Sequence, residues 1–215
     1  MCMPPAWVAC GDADGMVTGL TRSYWGSLEK VLLVLDPEPG HRLFGLSLLL
    51  AQDKTVLIAD TAVTETPSPE ELADIAVQSA AKARVLDHEP RVALLSYSTF
   101  GYPSAAKTTR IREAVKLLDA RGVDFEYDGE MSADVALDSD LQKLFPFCRL
   151  SGPANILVMP GLHAANIASK LVQKLGGGTV IGPLLMGLEK PVQIVQLGAT
   201  VSDVLNLAAF AAADR

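Results

Sequence analysis

The chain has 215 residues, 49% of them hydrophobic and 20% charged, with a formal net charge of −7. That is a globular composition, long enough to bury a sizeable core in one large α/β domain or two small lobes. The acidic balance and the lack of any Lys/Arg-rich run exclude nucleic acid and anionic membrane as main partners, while an anionic small molecule needs only a few local donors.

The opening Met1-Cys-Met-Pro-Pro-Ala-Trp7 lacks the basic and apolar regions of a signal peptide, and no apolar run is long enough to span a bilayer. Cys2, Cys10 and Cys148 are too scattered for a zinc site or a disulfide framework, so reduced thiols and a cytoplasmic setting are expected. A helix is expected across Thr21–Leu35, ended by Asp36-Pro37-Glu38-Pro39-Gly40, followed by strands at Leu43–Leu50 and Thr55–Ala59. Ser68-Pro69-Glu70-Glu71 sets out an N-cap, a proline in the first turn and a capping-box glutamate, and Leu72, Ile75, Ala76, Ala83 and Leu86 follow at helical spacing. Next come a strand at Val92–Tyr97 and a helix after Thr108 or Thr109, with Ile111, Ala114, Val115 and Leu118 inward and Gly122 as its stop. Strands at Val123–Tyr127, Ile156–Met159, Thr179–Ile181 and Val192–Val195 alternate with helices at about 133–144, 161–175 and 200–213. This alternation is that of an α/β fold, and strands apolar on both faces belong between two helix layers.

Few motifs carry chemistry. Ser96-Tyr-Ser-Thr-Phe-Gly101 follows a strand, where open α/β sheets place ligands, though a plain turn uses the same residues. Gly176-Gly-Gly-Thr179 follows a helix and precedes a strand, so helix termination accounts for it better than a phosphate loop. Asp128-Gly-Glu130 and Asp134 could do acid–base work or hold a metal, or cap and turn the backbone. His163, Asn166 and Lys170 form one polar stripe on a helix, and Asp203 caps a helix starting at Thr200. No Ser-His-Asp pairing, nucleotide fingerprint or metal-ligand spacing is visible, so the residues alone yield fold and compartment but not function.

Several segments together resemble the phosphate acetyl/butyryltransferase family: Asp12-Ala-Asp-Gly-Met-Val-Thr-Gly19, Ile58-Ala-Asp-Thr-Ala-Val63, Glu89 to Thr99, Asp128-Gly-Glu130, Asn155 to Pro160, Gly182-Pro183 and Gly187-Leu-Glu-Lys-Pro-Val192. The resemblance implies a three-layer α/β/α fold with a mostly parallel mixed sheet, two-lobed like isocitrate and isopropylmalate dehydrogenases, with a CoA cleft between the lobes and a dimeric state. It makes residues 1–215 the later two-thirds of a family unit whose N-terminal part is missing, with Met1–Val8 as a ragged edge. The lobes would be 1–60 plus 190–215, and 61–189.

The departures from the family are electrostatic. Where the family carries a Ser-Arg-Gly segment acting at the CoA thiol and the acetyl phosphate, this chain has Gln196, Leu197 and Gly198. Where the family has a phosphate-holding arginine in a Thr-Leu-Arg-Pro helix start, this chain has Glu29, followed by Lys30. Each lost charge-assisted partner costs about 1.5–3 kcal/mol; only the acidic position, Asp203, is retained. This pattern, with Phe100, Phe125 to Glu130 and Arg149 to Asn155, resembles the C-terminal domain of NADP-dependent hybrid malic enzymes, which binds acetyl-CoA and inhibits the malic enzyme half. The resemblance implies acetyl-CoA as ligand at Ser98, Thr99, Gly182, Met186, Gln196 and Asp203, and no cofactor in this segment. NADP and a divalent metal would belong to the malic enzyme catalytic domain, the expected partner beside a homodimer or higher oligomer. Two alternatives stand beside it: a working acyltransferase drawing on Arg22, Lys30 or Arg42, and a non-enzymatic remnant that only dimerises.

Overall fold

The structure, a computed structural model, describes residues 3–51, 54–103, 106–176 and 178–213. Its larger sheet has six strands in the order β5-β4-β6-β3-β2-β7. These are β2 (Phe44–Ala51), β3 (Lys54–Ala59), β4 (Arg91–Leu95), β5 (Glu126–Met131), β6 (Ile156–Val158) and β7 (Thr179–Met186). β3, β6, β4 and β5 run parallel, while β2 is antiparallel to both β3 and β7. The sheet is mixed and mostly parallel, as expected. Along β3 the side chains alternate: Leu57 enters the core beneath α3 (Pro69–Val85) and α4 (Ala106–Arg121), and Val56 and Ile58 enter the core on the opposite face. That second core is closed by α5 (Ala133–Leu137), α6 (Ser139–Gln142) and α7 (Leu162–Leu175). The result is helix, sheet, helix.

A second sheet pairs β1 (Met16–Gly19) in parallel with β8 (Val192–Val195), and α1 (Met3–Cys10), α2 (Tyr24–Leu32) and α8 (Val201–Ala213) pack around it. Its core joins Val8, Leu28, Val31 and Leu35 to Leu185, Val192 and Ile194. The buried Gln193 ties the two sheets together, its amide accepting from Leu185 N (2.8 Å) and donating to Leu185 O (3.2 Å) as a strand neighbour would. β3 and β2 stand fourth and fifth in the order of the larger sheet.

Local chemistry explains where elements differ from the sequence pattern. Met3–Cys10 is a helix with Val8 buried; Pro4 and Pro5 in its first turn, where proline is tolerated, disguise it. β1 has four half-buried residues and so no apolar run to signal it. α2 starts at Tyr24 and not Thr21 because the Ser23 hydroxyl accepts from Gly26 N at 3.2 Å. The helix expected at 133–144 breaks at Asp138, which leaves helical geometry and caps α6 by accepting from Asp140 N at 2.7 Å. α3 carries the capping box read from Ser68 and Glu71, and Gly176 closes α7; Gly177 lies outside the described residues.

One buried carboxylate organises the carboxyl end of β3. Asp60 Oδ1 accepts from Gly45 N (2.6 Å), Ala62 N (2.9 Å) and Val63 N (3.1 Å), and Oδ2 accepts from Thr64 N (2.6 Å). Gly45 admits this approach because a Cβ there would lie 2.6 Å from Ala62 Cβ. Asp60→Ala would leave these donors without an acceptor and is expected to cost about 3–5 kcal/mol in chemical denaturation, with Asp60→Asn losing less.

Candidate functional site

The carboxyl ends of β3, β4, β5 and β6 lie at one end of the larger sheet, the place where open α/β sheets accept ligands. A narrow polar pocket of about 40 Å³ opens beside it, walled by Ser47, Thr61, Asn166, Lys170, Gly182 and Gln196. Five parts of the chain build it. Ser47 comes from β2, and its hydroxyl is hydrogen-bonded to that of Thr61, 2.8 Å away in the loop held by Asp60. Asn166 and Lys170 stand one turn apart on α7. Gly182 sits in β7 at φ +119, where a Cβ would meet Leu46 O and Leu184 N at 2.9 Å. Gln196 follows β8. The structure thus joins two resemblance-derived positions, Gly182 and Gln196, to the polar stripe of α7, while the exposed His163 lies on the first turn of that helix and outside the pocket. Neither Ser47 nor Thr61 is a site candidate in the sequence; the traces are a lone serine inside the run Phe44-Gly-Leu-Ser-Leu-Leu-Leu50 and Thr61 within the family segment Ile58 to Val63.

The remaining candidates lie elsewhere. Ser98 is fully buried and its hydroxyl donates to Glu130 Oε1 at 2.9 Å, while Thr99 Oγ1 donates to Ser132 Oγ at 3.0 Å. Glu130, also fully buried, accepts from Gly101 N at 2.8 Å and faces Arg112 Nε at 3.5 Å. It therefore latches the loop after β4 onto β5. Asp128 pairs instead with Arg149, at 3.5 Å from Nε, and Asp134 lies in the first turn of α5. The acids that looked like an acid–base pair are thus shared out among different partners. The Ser132 hydroxyl and then the Val135 N–H hold the Asp134 carboxyl below its usual range. Met186 faces a separate groove of about 410 Å³ against α3, with Gln78, Lys82 and Lys190 in its wall. Asp203 accepts from Thr200 N (2.7 Å) and Thr200 Oγ1 (2.8 Å), and its own N–H donates to that hydroxyl at 3.3 Å. This closed capping box engages the retained acid.

The register of β1 on β8 sets Gly19 beside Val195, and Leu20 N donates to Val195 O at 3.3 Å. The turn into α2 and the Gln196–Leu197 turn therefore leave the smaller sheet together. Leu197 is 62% exposed there, and Glu29 is exposed on α2. Arg42 is engaged at a distance, with Nη1 2.6 Å from Glu71 and Nε 3.4 Å from Asp74. Burial, and secondly the charge of Asp60, push the Tyr24 phenol of α2 well above its ordinary value and keep it neutral.

The polar pocket thus lies near strand ends of both sheets. The chain belongs to the phosphate acetyl/butaryl transferase family, whose profile matches residues 3–212. It is 60% identical over 205 residues to the NADP-dependent malic enzyme of Rhizobium meliloti, covering 95% of this chain and 27% of that protein. It is 35% identical to the phosphate acetyltransferase of Bacillus subtilis, covering 94% of this chain and 64% of that one. The solved phosphotransacetylase of Streptococcus pyogenes superposes with a TM-score of 0.92 at 33% identity, over 99% of this chain and 66% of its own. The chain thus spans about a quarter of the malic enzyme and about two thirds of the transferases. Among the described residues no helix is long and apolar enough to cross a membrane.

Removing the latch between β4 and β5 should be felt globally. Glu130→Ala leaves Ser98, Gly101 N and Arg112 without their acceptor and is expected to lower stability by about 2–4 kcal/mol. The exposed Glu113→Ala, measured by the same thermal unfolding, should leave it unchanged.

Proposed function

We propose that this chain is an acyl-CoA-binding, phosphotransacetylase-like unit that regulates a malic enzyme and does not itself transfer acyl groups. What carries the reading is that Gln196, Leu197 and Glu29 stand where the family resemblance implies a serine and two arginines, so that two cations are lost around the end of β8 and on α2. An acidic side chain repels a transferring phosphate, and an exposed leucine gives it no donor. Asp203, the one retained position, is accounted for by its capping bonds to Thr200. Gly182 and Gln196 are the proposed contacts for the acyl-CoA, with Lys170 and Asn166 beside them. Thr99 and Met186 would contact outlying parts of the ligand, and Ser98 supports the loop from beneath.

The malic enzyme half of the reading draws on the Rhizobium meliloti relative. The catalytic domain converting malate to pyruvate and CO2, with its NADP and divalent metal, would lie in the part of a longer protein beyond this chain. Among the described residues no cluster of three His, Cys, Asp or Glu could hold such an ion. Acetyl-CoA would regulate by binding one state of the assembly better than another. Assembly as a homodimer or higher oligomer is part of the same proposal. A working acyltransferase is the second reading, favoured by Arg22 and Lys30, which line one concavity beside α2.

Two assays separate these. Incubating the chain with acetyl-CoA and orthophosphate is expected to yield no acetyl phosphate above background, and robust turnover would establish the transferase reading instead. Calorimetry is expected to show acetyl-CoA binding, weakened about tenfold in Lys170→Ala by loss of one charge-assisted contact; no heat with the unaltered chain would leave only a dimerising role.

A further inference from the structure

The chain passes from the smaller sheet to the larger through residues 36–43 and returns through 187–191. The two crossings lie side by side. Glu38 N donates to Gly187 O at 2.9 Å, Glu189 N donates to Asp36 O at 3.2 Å, and Pro37 and Leu188 form an antiparallel bridge. Gly187 (φ +85) permits this approach, because a Cβ there would collide with Arg42 O. The groove of about 410 Å³ runs between these paired crossings and α3. At one end the Gln78 amide bonds to the backbone of Arg42, which ties α3 to the first crossing. Both walls are therefore fixed.

The α3 wall is an apolar stripe that the core does not use. Val77, Ala81 and Val85 recur every four residues on one helical face, whereas Leu72, Ile75, Ala76, Ala80 and Ala83 of the same helix enter the core. Ala81 is exposed and Val85 is 72% exposed, so this second stripe faces solvent across the groove. Leu185 and Met186 of β7 continue the apolar surface. Charges of both signs meet it. Glu38 is engaged by His41 at 3.3 Å, and the Lys82 ammonium lies 5.8 Å from the centre of the Phe210 ring. Glu189 and Lys190, both exposed on the second crossing, form no ion pair among the described residues. A purely anionic ligand would gain from Lys190 and be repelled by Glu189, and a cationic one would meet the reverse. A zwitterion with an apolar body satisfies both groups and covers the stripe.

We infer that this groove binds an α-amino acid with a large apolar side chain. Lys190 takes its carboxylate, Glu189 its ammonium, and the Val77–Ala81–Val85 stripe its side chain. A groove of about 410 Å³ lies in the range of small-molecule sites. The site is separate from the polar pocket at Gly182 and Gln196 and stands without the acyl-CoA reading, although Met186 is common to both.

The test is calorimetry on the full chain with L-phenylalanine, 3-phenylpropanoate, which lacks the ammonium, and 2-phenylethylamine, which lacks the carboxylate. L-Phenylalanine is expected to bind about fivefold more tightly than either. Lys190→Gln should abolish its advantage over 2-phenylethylamine, and Glu189→Gln its advantage over 3-phenylpropanoate. Ala81→Trp fills the groove and should remove binding, leaving any heat with acetyl-CoA unchanged; Lys174→Gln, exposed at the end of α7, should change nothing. If acetyl-CoA gives no heat while L-phenylalanine binds with this preference, the acyl-CoA reading fails and the site stands. No heat with L-phenylalanine at millimolar concentration, equal affinity for the three probes, or unchanged affinity in Ala81→Trp overturns the inference. Displacement of L-phenylalanine by acetyl-CoA overturns it too, because the groove would then be an arm of the acyl-CoA site. Should Ala81→Trp lose stability, the exposed Lys190→Gln carries the comparison.

Discussion

Asp60 sits where β3 ends, almost wholly buried, and its two oxygens take up four backbone N–H groups from the start of β2 and from its own loop. A buried carboxylate is tolerable only when its lone pairs are filled in this way. The neighbouring geometry follows from that requirement. Thr61 is held against Ser47, which gives the polar pocket one wall. Remove the acceptor, and the wall of the pocket loses its anchor.

Charge is distributed with similar economy. Acids at Glu71, Asp74, Asp119, Asp124, Asp128 and Glu130 are matched to arginines, so the net negative balance does not leave a uniformly repulsive surface. The Asp119 carboxyl is held below its usual range, first by the Tyr127 hydroxyl and then by Arg149. Gln193, by contrast, performs a structural task with a polar side chain, standing in for the strand neighbour that β8 would otherwise need beside β7.

Asp203 shows how a family position can persist for a reason other than chemistry. Its carboxylate closes the first turn of α8 with Thr200, so it would be kept for the helix even with the serine and arginine of the preceding segment gone. On the proposed reading, retention of Asp203 says little about turnover, whereas a carboxylate at Glu29, where the family resemblance implies a cation, would have a direct electrostatic consequence.

The sequence by itself determined the alternation of strands and helices, the caps at Ser68 and Thr200, and the family pattern, because these depend on residues close together in the chain. It also raised the proposal of lost charge at Glu29 and Leu197, since a departure from a motif is visible without coordinates. It could not reveal β1, whose four half-buried residues acquire meaning only beside β8, nor α1 behind its prolines. It missed Ser47 and Thr61 for the same reason: neither is a signal until β2 and the Asp60 loop lie side by side. Tertiary structure alone decided that Asp128 and Glu130 answer to different arginines, and that Arg22 and Lys30 share a pocket without an acid. Those outcomes depend on contacts between distant segments, which no local spacing encodes.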